Sequence, residues 1–165
     1  MTGTLAQGGF LPLHVGLLCA LLLAAVASDA AWRRVPNVLP VAVAVLGGIA
    51  RATIAGPRAA LFGYGASAVL LAALVVPWSF RLVGGGDVKL ASACATWLGF
   101  SRLPVFLLVA SLAGGIVTLL MFVRTWRSLA SADAAGEGTR TVETRVPYSL
   151  AIAAGALVSL FWSFP

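Results

Sequence analysis

The chain has 165 residues, of which 61% are hydrophobic and 10% charged. Soluble domains carry roughly 25% charged residues, so the composition excludes an ordinary soluble domain and points to a membrane protein built as one unit. The net charge is +6, but the basic residues stand singly or in pairs between apolar runs; that pattern sets membrane orientation rather than binding nucleic acid.

The predicted elements are all helical. The first apolar run covers about residues 11–28, LPLHVGLLCALLLAAVAS. AVASDA at its end has the small residues of a signal-peptidase site, but residues 1–10 lack the basic leader such a peptide needs, so the run reads as a retained span. It contains His14 and Cys19. The other cysteine, Cys94, is also in an apolar run. No CxxC or HExxH accompanies them, so they read as packing residues, with no metal and no cofactor implied.

The second run begins with VPN at Val35–Asn37 and closes at Arg51. Pro36 and Asn37 suit the turn into it, and Gly47 and Gly48 suit close helix packing. The third run covers residues 59–80. The fourth, between Lys89 and Arg102, is the shortest. At 1.5 Å per residue it reaches about 18 Å, short of the ~30 Å hydrocarbon layer unless Lys89 and Arg102 snorkel. The fifth covers 103–123, with Gly114 and Gly115 as further packing points, and the sixth runs from Val146 onward, with Tyr148 as an interfacial anchor. Residues 124–145 form a polar loop containing Asp133, Glu137 and Glu143.

Charge bias chooses the topology. With six spans and both termini outside, Arg33, Arg34, Arg81, Lys89, Arg124, Arg127, Arg140 and Arg145 face the cytoplasm. Only Arg51, Arg58 and Arg102 face out. This obeys the positive-inside rule, whereas a re-entrant fourth segment destroys the bias. The expectation is therefore an all-α polytopic protein, a single domain over residues 1–165, with six transmembrane helices and periplasmic termini.

Two acids remain outside the polar loop, Asp29 closing the first run and Asp87 opening the fourth. The topology, which used only basic residues, puts both at the cytoplasmic face. Two readings stand. In one, Asp29 pairs with Arg33 and Asp87 caps a helix. In the other the acids form a carboxyl dyad, one a base towards water and the other a proton donor to a scissile carbonyl. The dyad reading gives a purpose to the glycines of RLVGGGDVKL: Gly84, Gly85 and Gly86 let an extended backbone approach Asp87. Helix-end polarity then favours Asp87 as the base, with Asp29 as the acid. Lys89 is either a snorkelling lysine or a substrate contact, and Arg33 and Arg34 either fix topology or touch anionic lipid.

Three segments carry a resemblance. DAAWRRVPN (Asp29–Asn37), GGGDVKL (Gly84–Leu90) and VPYSLAIAAGAL (Val146–Leu157) resemble, in order, the motifs of the type IV prepilin peptidases, GxGD intramembrane aspartic proteases. The resemblance implies a metal-free, inner-membrane aspartic endopeptidase that removes the basic leader of a prepilin at the cytoplasmic face, with Asp29 and Asp87 as its catalytic pair. The large cytoplasmic region with two CxxC pairs seen in bifunctional members does not occur between the spans. The chain therefore resembles the short branch serving tight-adherence (Flp-type) pili, without N-methylation. Ser149 and Leu150 stand where Gly-Pro is usual, and Ala95 where glycine is common; both read as changes on packing faces. A presenilin-like GxGD protease is disfavoured because Asp29 follows Ser28 at a helix end. A transporter or assembly subunit with an acid proton relay leaves the glycine run unexplained.

Overall fold

The computed structural model describes residues 12–32, 36–81, 83–135 and 148–161. Five helices, and no strand, occur among them: α1 (Pro12–Trp32), α2 (Val38–Ala55), α3 (Pro57–Ser79), α4 (Gly85–Ala135) and α5 (Tyr148–Phe161). Arg33, Arg34, residues 136–147 and both chain ends lie outside the described residues, as do the side chains of Asp133 and Tyr148; residues 124–135, expected in the polar loop, instead continue α4.

One residue joins α2 to α3. Gly56 has φ 86° and ψ 170°, a conformation that a side chain disfavours. Its N–H donates to the Ala52 carbonyl at 3.0 Å, and Pro57 follows at the first helical position, where its missing N–H costs nothing. α3 closes on Arg81, whose φ of 57° lets its N–H turn back to the Trp78 carbonyl.

The decisive feature is inside α4. Gly99 has φ 67° and ψ −179°, which breaks the helix into two legs. The first leg, Gly85 to Leu98, reaches only about 21 Å. The second leg runs back along it. Asp87 and Ala91 of the first leg line the same groove as Phe106, Ala110 and Gly114 of the second. α5 lies antiparallel to the second leg: Arg102 donates to the Leu160 carbonyl at 3.1 Å, and Gly155 sits against Ala110 and Phe106.

By length and apolarity, four helices suffice to cross a membrane: Leu13–Ala31, Val38–Ala55, Pro57–Ser79 and Gly85–Trp126. The all-helical expectation holds among the described residues, while this count does not show six separate spans. The expected fourth and fifth spans belong to one element, broken at Gly99 rather than divided at Arg102. The expected sixth is the shorter apolar helix Ser149–Leu160.

The first leg of α4 is the centre of the molecule. Residues 91–99 are all buried, so its polar members are the small Ser92 and Thr96. Trp97 is fully buried; its Nε1 donates to the Val43 carbonyl at 2.7 Å and its ring covers Gly47. A β-carbon at Gly47 would stand 2.6 Å from that ring, and Gly48 is packed as tightly by Tyr64. Ala95 is buried here too, as a packing residue. Cys94 is a free buried thiol; Cys19 is half-buried and also free. His14 Nδ1 is buried without a hydrogen-bond partner.

The break would strand backbone carbonyls in a water-poor interior, at a cost of about 1–3 kcal/mol each. Arg51 supplies a donor there: its Nη1 reaches the Trp97 carbonyl at 3.0 Å, while its Nε holds the Ala59 carbonyl of α3 at 2.9 Å. Two of the three arginines expected to face outward, Arg51 and Arg102, thus hold main-chain carbonyls of neighbouring elements.

Candidate active site

Asp29 lies in the last turn of α1 and Asp87 in the first turn of α4. α1 and α4 both pack on α5, whose Ser149 bonds Asp29 and whose Ala151 and Ile152 line one groove with Asp87, so the two acids lie at the same end of the bundle. Both are half-buried. Arg33, the alternative partner of Asp29, lies outside the described residues.

The glycines before Asp87 differ in what they do. The Asp87 carboxylate folds back over Gly84, where a β-carbon would stand 2.8 Å from its Oδ2. Gly84 also accepts the first helical hydrogen bond, from Val88 N–H at 3.1 Å. Gly85 is packed by the Trp78 indole, 3.1 Å from where its β-carbon would be. Gly86 is half-buried in the first turn. The run thus gives Asp87 room on one side and seats the α3 end on the other.

Lys89 points away from Asp87. Its Nζ donates to the Asn37 Oδ1 at 2.9 Å, tying the start of α4 to the start of α2. Asn37 does not cap α2 with its side chain. Its role, and that of Pro36, in the turn is carried by their carbonyls, which accept from Val41 and Leu39 at 3.4 and 3.1 Å.

One side chain enters the site from a place the sequence left as packing. Ser149, at the start of α5, is fully buried, and its Oγ donates to Asp29 Oδ2 at 2.7 Å. Leu150 beside it is 51% exposed and faces away. The available signal was a lone hydroxyl where the motif has none; the distance of 120 residues from Asp29 hid its partner. Both acids therefore adjoin the start of a helix, Asp87 in α4 and Asp29 beside α5, so helix-end polarity no longer separates them.

An apolar groove of about 600 Å³ opens beside Asp87. Asp87 is the acid in its lining; the walls include Leu74, Phe106, Leu119 and Ile152. Gly114 and Gly115 form part of one wall, and a β-carbon on Gly115 would meet nothing within 4 Å. This corrects the expectation that Gly115 is a close packing point: it leaves space open. No cluster of three potential metal ligands occurs among the described residues.

The acid-bearing end and the arginine-bearing end are opposite. Lys89 contacts Asn37 at the start of α2, whereas Trp97 contacts Arg51 near its end. α5 likewise runs from Ser149 at Asp29 to Leu160 at Arg102.

A prepilin leader peptidase/N-methyltransferase of Burkholderia pseudomallei (strain 1026b) is 35% identical over 156 residues, covering 90% of this chain and 46% of the relative. A protein of the same name from Dickeya chrysanthemi is 33% identical over 129 residues, 73% of this chain and 44% of the relative. One from Pectobacterium carotovorum subsp. carotovorum is 39% identical over 77 residues, 43% of this chain and 26% of the relative. The chain thus spans less than half the length of these relatives. No solved structure matches it. The model of the type IV leader peptidase family matches residues 16–119, a stretch that holds both Asp29 and Asp87, and the chain belongs to that family.

Proposed function

We propose that this protein is an intramembrane aspartic endopeptidase that cleaves the short basic leader from prepilins of the Flp type. The observation that carries the reading is that both acids stand at the start of α5, Asp29 bonded to Ser149 and Asp87 lining an apolar groove with Ala151 and Ile152. Family membership and the prepilin peptidase relatives support the substrate class.

The chemistry follows from two carboxyls sharing a site. Like charges a few ångströms apart resist joint ionisation, so the pair holds one proton between them. The ionised member takes a proton from water, and the water oxygen attacks the scissile carbonyl. The protonated member gives its proton to the carbonyl oxygen. The resulting diol collapses as the leaving amine is protonated, and the pair returns to its starting state. Gly84 leaves the flank of Asp87 open to an extended peptide, and the groove receives the apolar stem that follows the leader.

In this reading the protein is a single domain that crosses the bacterial inner membrane six times. The two legs of α4 and the helix α5 each count as one crossing. Both termini are periplasmic, residues 124–145, whose first part continues α4 to Ala135, are cytoplasmic, and the acid end faces the cytoplasm. The eight-to-three distribution of basic residues supports this orientation. Arg51 and Arg102, at the end remote from the acids, belong to the outward set. The basic cytoplasmic end meets anionic lipid headgroups.

The test is co-expression of the chain with an Flp-type prepilin, following the leader by gel shift and mass. Asp29→Asn and Asp87→Asn each abolish cleavage, whereas Asp133→Asn and Glu137→Gln do not. Normal processing by either of the first two variants would reject the dyad and leave a proton-relay role.

A further inference from the structure

Five hydroxyls in the helices behave alike. Thr53, Ser79, Ser92, Thr118 and Ser159 each donate to a carbonyl three or four residues back in their own helix. Ser149 does not. It is the second residue of α5, so no turn of its own helix precedes it to offer a carbonyl. Its hydroxyl is fully buried, with no solvent to satisfy it, and it donates to Asp29 Oδ2 on α1.

Ser149 is held firmly on its side of that bond. Ala151, Ala153 and Ala156 of α5 are buried, and Gly155 lets the helix close against Phe106 and Ala110. Asp29, in contrast, is half-buried in the last turn of α1. A bond from a buried donor on a second helix restricts the direction of its carboxylate, and it engages one of the two oxygens. The Gly-Pro pair usual at this point of the motif has no hydroxyl to make this contact.

We infer that Ser149 is a positioning residue for Asp29: its hydroxyl orients the carboxyl group towards Asp87. The inference rests on the proposed peptidase reading. It gives the rate a dependence on a side chain that touches neither substrate nor water.

Two measurements test it on the full-length protein in liposomes with an Flp-type prepilin. In the first, Ser149→Ala lowers kcat about tenfold and leaves KM within twofold, as loss of one hydrogen bond to a charged group predicts. Ser149→Gly does the same, and Ser149→Thr, which restores the hydroxyl, recovers most of the rate. An unchanged kcat in both the Ala and Gly variants overturns the inference while leaving the dyad standing; an inactive parent protein instead rejects the peptidase reading.

The second needs no substrate. With ¹³C-labelled aspartate, the infrared difference between parent and Ser149→Ala shows a shift of one carboxyl band. In an Asp29→Asn background that shift is absent. A band shift that persists in that background, or no shift in either, overturns the inference. A purely structural role for Ser149 would lower the melting temperature without producing this pattern.

Discussion

Replacing Gly84 with alanine should displace Asp87 without touching the rest of the fold. The new β-carbon would stand 2.8 Å from Asp87 Oδ2, whereas ordinary van der Waals contact begins at 3.4 Å, so the carboxylate must retreat by about 0.6 Å. The backbone does not resist the change, because Gly84 precedes the first residue of α4 and is exposed. Catalytic groups must hold their geometry to about 0.5 Å, and a 1 Å misplacement costs about 10²-fold. The expected loss in kcat is therefore about 10- to 100-fold, with KM little changed. The assay is leader release from a purified Flp-type prepilin under saturating conditions, beside a thermal melt in the same detergent. A Gly84→Ala protein with parental kcat would refute the reasoning, since Asp87 could then move that far without consequence.

Further outcomes follow from the same geometry. Gly115→Leu should fold normally, because nothing lies within 4 Å of the added β-carbon. By filling the groove it should raise KM at least about tenfold, on the scale of a well-buried apolar anchor, about 1.5–3 kcal/mol; steady-state kinetics with the prepilin check this. Arg51→Met removes the donors to Ala59 and Trp97 and should cost about 2–4 kcal/mol of stability, read as a lower melting temperature with unchanged kcat per folded molecule. Gly99→Ala forces a side chain into φ 67°, ψ −179° and against the Arg51 guanidinium; at about 1–3 kcal/mol of backbone strain, it should lower the folded yield. Lys89→Met and Asn37→Ala should each have small effects, under about 1 kcal/mol because the pair is exposed. Their double variant should be no worse than the worse single in a thermal melt.

The parts of the fold that depend on local chemistry were readable along the chain. Apolar runs between charges marked α1 to α3. The break in α4 was not readable. Gly99 sits in a run that is buried on every side, so no polar residue announces the reversal; Arg102, three residues later, was the nearest visible sign. The Trp97 carbonyl beside the break is held by Arg51 from another helix, a contact with no local signature. Charge placement could assign Arg51 to a side of the membrane but not to a partner.

The candidate site divides in the same way. Asp29 and Asp87 stand out because acids are expensive near hydrocarbon, and the motifs flag the residues around them. What each neighbour touches is a matter of tertiary packing. Lys89 turns from Asp87 to Asn37. Gly115 has the pattern of a helix-packing glycine, yet it borders open space in the groove beside Asp87, while its neighbour Gly114 is buried. Ser149 looks like a neutral exchange for glycine until α5 is placed against α1.

The claim on which the account turns is that Asp29 and Asp87 act as one unit. Cleavage rates of the purified parent, Asp29→Asn, Asp87→Asn and the double variant, measured on one prepilin in liposomes, address it directly. The account predicts that each single variant falls to the rate of the double, because a dyad missing either member has lost its function. Either single variant cleaving at more than about a tenth of the parental rate, or losses that multiply in the double, would contradict it.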